Sequence, residues 1–258
     1  KNKKQDYISN LDELPFVSSV YKNHLNFRNY FNPASNYPVM MIITSRGCPH
    51  KCFFCAFPQV LHGHEYRARS PENVVDEFEH ISKTYPEIEE IGIEDDCFTI
   101  DKERLERICD LLIERDLRIK WYCTARADLD YSLMKKMKKA GCRLISVGFE
   151  SSCQSTLDTI HKDITITRYQ QLAKDARRAG LMVQGCFMIG NPGDTKKIVH
   201  KNYRLAARIN CDFIRFYPLF LYPGTEAFEW AQKNKYVIKD DLAGWLREDS
   251  LLPCVLNN

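Results

Sequence analysis

Short, continuously apolar runs alternate along this chain with longer amphipathic segments. The apolar runs predict six strands, at 39–44, 88–94, 119–124, 144–149, 181–189 and 213–219. Amphipathic spacing and capping residues predict six helices between and after them, at 71–84, 101–115, 131–140, 167–179, 195–209 and 224–233. Strands that are apolar throughout are typical of sheets covered on both faces. The pattern therefore predicts an α/β fold with a parallel sheet and outer helices.

Six strand–helix units are fewer than the eight of a closed barrel. A partial (β/α)6 TIM-like barrel and a doubly wound sheet both fit this number, and we favour the partial barrel. No linker or repeat interrupts the alternation, so residues 39–235 are predicted to form one barrel domain. Residues 1–38 look irregular and are predicted to be an N-terminal linker, and 236–258 a C-terminal extension. Because residue 1 is not Met and 251–256 are apolar, we expect further segments at both ends.

The overall composition narrows the classes of protein that this chain can represent. Its 258 residues are 44% hydrophobic and 28% charged, which is globular and excludes intrinsic disorder. The net charge of +3 is too balanced to indicate a nucleic-acid partner. No uncharged apolar stretch approaches the roughly 18 residues that a membrane span needs, and no signal peptide is evident. We therefore expect a cytoplasmic protein without a membrane span.

Eleven cysteines are an unusual number for such a chain. In a cytoplasmic protein, clustered thiols more often indicate a metal or catalysis than disulfides. Cys48, Cys52 and Cys55 have C-x3-C-x2-C spacing on a loop directly after the first predicted strand. The other eight are interpreted as buried free thiols, because no close C-x2-C pair among them indicates a second cluster.

Tight cysteine spacing lets one loop supply several ligands to a soft metal centre. Iron–sulfur clusters usually take four cysteines, and only three are close here. Three ligands on a four-iron cluster leave one iron open, and an open site indicates chemistry rather than a structural role. The alternative is a zinc loop, which has nearby histidines as further ligands: His50, His62 and His64.

The triad, with the aromatic Phe54 just before its third cysteine, resembles the signature of the radical S-adenosylmethionine (SAM) superfamily. This resemblance implies a [4Fe–4S] cluster on Cys48, Cys52 and Cys55 whose open iron chelates the amino and carboxylate groups of SAM. Reduction then cleaves SAM to a 5′-deoxyadenosyl radical, which abstracts hydrogen from a substrate. The resemblance also implies a reductant protein of the flavodoxin or ferredoxin type, and it places Phe54 among the cofactor-binding residues.

Two later segments resemble cofactor-binding parts of the same superfamily. The sequence Gly-Phe-Glu-Ser ends the fourth predicted strand, and the resemblance implies that Glu150, and with it Ser151, contacts the ribose or carboxylate of SAM. A helix cap is the alternative role for Ser151. The segment from Gly185 to Gly190 resembles the glycine-bearing strand that packs on adenine. A Pro-Gly turn with a capping residue is the alternative there.

Three further segments are candidates for SAM binding because they lie at the ends of predicted strands. The segment Glu-Asp-Asp at 94–96 corresponds to the superfamily's Gly-Gly-Glu, which holds the SAM amino group, and we favour Asp95 and Asp96 over Glu94. Helix capping is the alternative for both aspartates. Arg126 is a candidate partner of the SAM carboxylate, with a salt bridge to Asp128 or Glu150 as the alternative. Tyr222 is expected to close the far edge of the site.

The order of motifs resembles one group within the superfamily, the cobalamin-binding radical SAM enzymes. These motifs are Leu-Asp-Glu-Leu-Pro, Ser-Arg-Gly-Cys-Pro, Arg-x-Arg-Ser-Pro-Glu-x-Val, Glu-Asp-Asp-x-Phe-Thr, Gly-Phe-Glu-Ser, Gly-Asn-Pro-Gly-Asp-Thr and Tyr-Pro-Gly-Thr. The group includes methyltransferases, hopanoid-modifying enzymes and the oxygen-independent chlorophyll ring cyclase, and the match runs over about residues 11–254. It implies C-methylation or a related modification of a lipid, a tetrapyrrole or another small-molecule secondary metabolite.

The sequence leaves open whether this protein uses cobalamin. The group's cobalamin domain precedes Leu-Asp-Glu-Leu-Pro, and no Asp-x-His-x-x-Gly loop occurs in this sequence. Either an upstream domain belongs to the protein, or this member works without cobalamin. The alternative functions are cobalamin-independent radical chemistry, of the methylthiotransferase or rearrangement type, and a non-catalytic iron–sulfur or zinc-binding carrier.

Overall fold

The structure is a computed structural model that describes residues 6–237, so most of the predicted C-terminal extension lies outside the described residues. Its strands are β1 (Val39–Ile42), β2 (Ser45–Arg46), β3 (Arg67–Ala68), β4 (Glu90–Ile93), β5 (Lys120–Ala125), β6 (Cys142–Glu150), β7 (Met182–Ile189) and β8 (Phe213–Pro218). β1 and β4 to β8 form a six-stranded sheet in chain order, and every neighbouring pair is parallel. β2 and β3 form a separate antiparallel ladder.

One helix precedes β1, and the others follow strands. They are α1 (Val17–His24), α2 (Pro71–Thr84), α3 (Lys102–Glu114), α4 (Tyr131–Lys139), α5 (Gln154–Thr159), α6 (Ile166–Ala179), α7 (Lys196–Ile209) and α8 (Glu226–Lys233). Side chains cap the N-termini of six of them, namely Ser70, Asp101, Asp130, Thr165, Thr195 and Thr225. Within residues 6–237, no helix has the length and apolar character to cross a membrane.

Alternate side chains of the strands point to opposite faces of the sheet and form two separate apolar clusters. The position of the helices relative to these clusters distinguishes a barrel from a doubly wound sheet. Ile91 and Trp121 are fully buried in the large cluster, which also contains the buried faces of the helices. Tyr122 and Leu144 point to the opposite face and form a small cluster with Val39, to which no helix contributes. The helices cover one face of the sheet, and the other face lines the inside of the curved sheet. This arrangement is a partial TIM-like barrel. The predicted fold class is confirmed.

The expectation that residues 1–38 are irregular was wrong for α1. This helix packs on α2 through Ser18, whose backbone N–H and hydroxyl both donate to Glu77 Oε1, at 3.1 and 2.8 Å. Glu77 is fully buried and also pairs with Arg69 at 2.5 Å. Eight residues without a side-chain cap give a weak local signal, and the contacts that stabilise α1 are far away in sequence.

The same N-terminal segment closes the amino end of the barrel. Arg143 forms a buried ion pair with Glu90, with Nε 2.6 Å from Oε1, and its Nη2 donates to the carbonyl of Ala34 at 2.6 Å. The backbone N–H of Asn36 donates to Glu90 Oε2 at 2.7 Å. The Asn32 amide donates to the Tyr122 hydroxyl at 3.0 Å inside the barrel. The N-terminal segment therefore covers the end of the barrel opposite the carboxyl termini of the strands.

We expect Glu90→Ala to lower the free energy of unfolding by about 3–5 kcal/mol, because the change leaves the buried Arg143 guanidinium uncompensated. Denaturant unfolding of the variant measures this loss. Glu72→Ala is the matched control, since Glu72 pairs with Arg107 on the exposed surface. Exposed pairs of this kind contribute less than about 1 kcal/mol. Equal losses in the two variants would contradict the structural role of the Glu90 pair.

Candidate active site at the carboxyl ends of the strands

The three cysteines of the triad lie on the loop that follows β2, at the carboxyl end of the barrel. Cys48 and Cys52 are each 9% exposed, and Cys55 is half-buried. Gly47 has φ +83°, and a Cβ there would lie 2.0 Å from the carbonyl oxygen of Glu65. Only glycine fits this tight entry into the loop. The local sequence thus shapes the loop that carries the thiols.

Gln59 organises the same loop, a role that the sequence did not reveal. Its Nε2 lies within hydrogen-bond distance of three carbonyls, at 2.9 Å from Cys52, 3.2 Å from Phe53 and 3.1 Å from Cys55. Its Oε1 accepts from the backbone N–H of Glu226 at 2.8 Å. The backbone N–H of Ala227 donates to the Phe53 carbonyl at 3.1 Å. Gln59 therefore ties the cysteine loop to the first turn of α8.

We expect Gln59→Leu to lower stability by about 1–3 kcal/mol and to reduce the iron bound per chain, since loop carbonyls lose their shared donor. Iron analysis after anaerobic reconstitution and denaturant unfolding measure the two effects. Gln171→Leu is the control, because Gln171 is an exposed residue on α6 that bonds only Asp175 of the same helix. Unchanged iron content in Gln59→Leu would contradict the proposed role of Gln59.

Electrostatics at the loop suit a cationic metal centre with anionic ligands. Burial raises the pKa of Cys48 to about 11 and that of Cys55 to about 12, so at neutral pH these thiols keep their protons until a metal displaces them. Burial opposes the charged form of Lys162, but the Glu150 carboxylate and Cys52 outweigh it and raise the pKa of Lys162. A buried ammonium group therefore lies close to the thiols.

The histidines near the triad give no support to the zinc alternative. Among residues 6–237, no three His, Cys, Asp or Glu side chains converge on one metal ion. His62 Nδ1 lies 2.7 Å from Asp96 Oδ1, and His64 Nδ1 lies 3.1 Å from the Cys48 carbonyl. Burial and the Arg126 charge lower the pKa of His50.

The aspartates that follow β4 bond to the chain around the triad. Asp95 is buried, and its carboxylate accepts from the backbone N–H and the hydroxyl of both Thr44 and Ser45, at 2.6–3.0 Å. Asp96 accepts from the Gly47 N–H at 3.0 Å and contacts His62. Asp101 caps α3, so the helix-capping alternative for Asp95 and Asp96 was wrong. Both aspartates brace the cysteine loop.

Glu94 is the acidic residue of this segment that faces the barrel interior. Strand alternation places it on the same face as Tyr122, whose hydroxyl lies 3.4 Å from Glu94 Oε1. Loss of hydration and the neighbouring Asp95 carboxylate raise the pKa of Glu94. It forms no ion pair within the described residues, so its carboxyl group is available to a ligand. Strand alternation alone, applied to 88–94, is the sequence signal that would have found it.

Glu150 ends β6 in a conformation that is rare for a residue with a side chain. Its φ is +60°, and its Oε1 accepts from Lys162 Nζ at 2.8 Å, with both side chains buried. A Cβ on Gly148 would lie 2.1 Å from Glu150 Oε1, so the glycine makes room for this pair. Ser151 is fully buried, and its Oγ accepts from the backbone N–H of Cys153 at 3.2 Å. Backbone strain of this kind is typical of functional sites.

Arg126, at the end of β5, reaches towards the same pair. Its Nη2 donates to the backbone carbonyl of Lys162 at 2.9 Å. Its Nε is buried and has no hydrogen-bond partner among residues 6–237. Neither Asp128 nor Glu150 forms an ion pair with it in the described part of the chain, so that alternative was wrong. One donor of the guanidinium group remains available to an anionic ligand.

The end of β7 combines a tight turn with a buried amide. Gly190 has φ +96°, and its backbone N–H and that of Asn191 each donate to Asp194 Oδ2 at 3.0 Å. Gly185 lies deeper in β7, where a Cβ would come within 3.0 Å of the Phe149 ring. Asn191 is 3% exposed, and its side-chain amide has no hydrogen-bond partner in the described residues. Sequence reasoning missed Asn191, because a buried orphan amide has no local signature.

Phe54 and Tyr222 lie at the rim of the site. Phe54 is half-buried and packs against the large core cluster. Tyr222 is 48% exposed, and its carbonyl accepts from the N–H and hydroxyl of Thr225, at 3.1 and 2.6 Å. A Cβ on Gly224 would lie 3.3 Å from Val60, so this turn adjoins the cysteine loop. The roles predicted for Phe54 and Tyr222 in cofactor binding stay predictions, as do those of the other site residues.

The residues present fit an iron–sulfur cluster and a zwitterionic ligand. Three thiols supply the soft ligands that iron prefers, and the buried Lys162 offsets their negative charge. The Glu94 carboxyl group and the unpartnered Arg126 Nε supply groups of opposite charge at the ends of β4 and β5. This combination matches the amino and carboxylate groups that SAM presents.

Known proteins similar to this chain are named as methyltransferases and cyclases. An uncharacterized methyltransferase of Pyrococcus horikoshii is 32% identical over 232 residues, which are 90% of this chain and 49% of the relative. The anaerobic magnesium-protoporphyrin IX monomethyl ester cyclase of Cereibacter sphaeroides is 29% identical over 254 residues, 91% of this chain and 40% of the relative. The chain therefore spans about half or less of the length of these curated relatives.

A solved structure with the same fold is the radical SAM methyltransferase TsrM of Kitasatospora setae, with cobalamin and a [4Fe–4S] cluster bound. It aligns with a TM-score of 0.71 and 20% identity, over 79% of this chain and 41% of TsrM. Residues 42–206, more than half of the chain, match the sequence profile of the radical SAM superfamily, and this region contains the triad and the ends of β1 to β7. The chain belongs to the radical SAM superfamily.

Proposed function

We propose that this chain is the catalytic barrel of an enzyme that cleaves SAM reductively and uses the resulting radical for C-methylation or a related modification. Membership of the superfamily implies a [4Fe–4S] cluster and SAM. The observation that carries the proposal is the arrangement at the barrel mouth. There, three thiols on one braced loop lie beside the buried Lys162–Glu150 pair and the unpartnered Arg126 Nε.

When bound and reduced, the cluster supplies the electron that cleaves SAM to the 5′-deoxyadenosyl radical. Cys48, Cys52 and Cys55 would hold the cluster, while Gln59 and the two aspartates keep their loop in place. We assign the amino group of SAM to Glu94 instead of Asp95 and Asp96, because both aspartates bond to the chain around the triad. Arg126 would bind the carboxylate of SAM. Glu150, oriented by Lys162, contacts the ribose, and the end of β7 packs on adenine.

Methylation by way of cobalamin is the reaction that the relatives support best. Similar proteins are named as methyltransferases of bacteriochlorophyllide d, of a hydroxyethylphosphonate and of hopanoids. TsrM and the cobalamin-dependent enzyme OxsB share this fold with cobalamin bound. We propose a small-molecule substrate of the tetrapyrrole, lipid or secondary-metabolite class.

The proposal extends to the reductant and the compartment. A flavodoxin- or ferredoxin-type protein would deliver the electron to the cluster. All ten described cysteines are free, and seven of them lie outside the triad. Buried free thiols fit a reducing compartment, and we therefore propose the cytoplasm.

Analysis of the products tests this function. The protein is reconstituted with iron and sulfide without oxygen, reduced with dithionite and incubated with SAM. We expect 5′-deoxyadenosine, and when cob(I)alamin is added we also expect S-adenosylhomocysteine, because SAM gives its methyl group to the reduced cobalt. The absence of 5′-deoxyadenosine from cluster-loaded protein would refute SAM cleavage and favour a carrier. Formation of 5′-deoxyadenosine without any effect of cobalamin would favour cobalamin-independent radical chemistry.

A further inference from the structure

The interior of the barrel changes from apolar to polar towards its mouth. The lower layer contains Tyr122 and Leu144, which form the small inner cluster. One step further along the strands, Ser146 of β6 is paired in register with Gln184 of β7. The next inward position of β7 is Cys186, which is paired in register with Arg215 of β8. A polar layer thus lies between the inner apolar cluster and the mouth.

Gln184 in this layer has an unsatisfied hydrogen-bond acceptor. Its side chain is 7% exposed, and its Nε2 donates to Ser146 Oγ at 2.9 Å and lies 3.9 Å from Cys186 Sγ. Its Oε1 is buried and has no partner among residues 6–237. A buried polar atom without a partner costs free energy, about 1–3 kcal/mol, unless a ligand satisfies it. The Gln184 amide therefore indicates a ligand with an N–H or O–H donor.

Arg215 supplies a positive charge one inward position nearer the mouth, where it is paired in register with Cys186. Phe216 packs outward on Phe187 and on Tyr203 of α7, at centroid distances of 5.3 and 4.5 Å. Alternation along β8 therefore turns Arg215 towards the interior. Its Nη1 donates to the Tyr217 hydroxyl at 3.3 Å, and within the described residues it forms no ion pair.

We propose that Arg215 and Gln184 form a substrate subsite inside the barrel, for a small molecule with an anionic group and a neighbouring hydrogen-bond donor. The guanidinium group of Arg215 binds a carboxylate or a phosphate, whose planar or branched oxygens its fork of donors matches. Gln184 Oε1 accepts the donor. The inference rests on the proposed function, because it names the substrate class of that same site.

Titration calorimetry of the cluster-loaded protein tests the subsite. SAM is present throughout, so that a probe cannot bind in the place of SAM. The probes are benzoate and phenyl phosphate, with benzyl alcohol as the neutral match. We expect at least one anion to bind about tenfold more tightly than benzyl alcohol, and the better anion identifies carboxylate or phosphate as the group bound. Arg215→Gln loses this preference. Arg208→Gln, on the exposed last turn of α7, keeps it.

Several outcomes would overturn the subsite. They are equal binding of the anions and benzyl alcohol, or unchanged anion binding by Arg215→Gln. If Arg215→Gln does not fold, Arg215→Lys decides, since it keeps the charge without the fork and should bind roughly threefold more weakly. A second probe, 3-hydroxybenzoate, adds a hydrogen-bond donor to benzoate. It should bind more tightly than benzoate to the wild type, and this gain in affinity should disappear in Gln184→Leu.

The same wild-type sample is assayed for 5′-deoxyadenosine. Its formation without anion binding would refute only the subsite, and its absence would refute the proposed function.

Discussion

Cys52→Ala is expected to abolish cluster binding and the formation of 5′-deoxyadenosine. The triad supplies three of the four ligands that a [4Fe–4S] cluster needs, and the loss of one leaves two irons without a protein ligand. Cys52 also lies close enough to the buried Lys162 to contribute to the raised pKa of this lysine. Iron and sulfide analysis after reconstitution, followed by chromatography of the SAM products, measures the effect.

Cys153→Ala is the matched control for this experiment. Cys153 is half-buried at the start of α5, and its Sγ contacts Ser155 Oγ at 3.2 Å. It has no place in the site, so its loss should leave both iron content and SAM cleavage unchanged. SAM cleavage by Cys52→Ala at the wild-type rate would disprove the assignment of the triad.

Glu150→Ala is expected to have the second largest effect, on both stability and SAM affinity. Removal of the carboxylate leaves the Lys162 ammonium buried without its partner, which costs about 3–5 kcal/mol. We also expect weaker SAM binding by the folded fraction, because Glu150 is the proposed contact to the cofactor. The iron content of that fraction should stay intact, since Glu150 is not a cluster ligand.

The double variant Glu150→Ala/Lys162→Met separates the two effects. It removes the unpaired charge, so stability should recover while SAM affinity stays low. Titration calorimetry with SAM and denaturant unfolding measure them independently. If SAM affinity recovers together with stability in the double variant, Glu150 has a purely structural role and the proposed contact with SAM is wrong.

The pH dependence of stability gives an independent view of the same pair. The pKa of Lys162 is raised above its ordinary value of 10.5 in the folded protein. A raised pKa on a base contributes stability that is fully present below pH 10.5 and is lost as the pH rises through the folded value. The stability difference between the wild type and the double variant should therefore shift in this alkaline range and stay constant at neutral pH.

The fold could be predicted from the sequence because its determinants are local. Each predicted apolar run of six to nine residues corresponds to a strand of the barrel, and the helix predicted to begin at Asp101 has Asp101 as its N-cap. The choice between a barrel and a doubly wound sheet needed the structure. It depends on which face of each strand the helices cover, and a run that is apolar throughout does not carry that information.

The parts of the site that the sequence did not show depend on contacts between distant residues. Gln59 reaches Glu226, and Lys162 reaches Glu150 across a bulge and a short helix. Lone glutamines and lysines have no motif that would distinguish them from surface residues. Glu94 differs from Gln59 and Lys162, because the alternation of side chains along its own strand is a sequence signal that places it inside the barrel.

Electron paramagnetic resonance of the reconstituted, reduced protein, with and without SAM, tests the central claim most directly. The account predicts a [4Fe–4S]⁺ signal that changes when SAM is added, because SAM binds to the iron that no cysteine holds. A signal that SAM leaves unchanged, or bound zinc with no cluster signal at all, would contradict it.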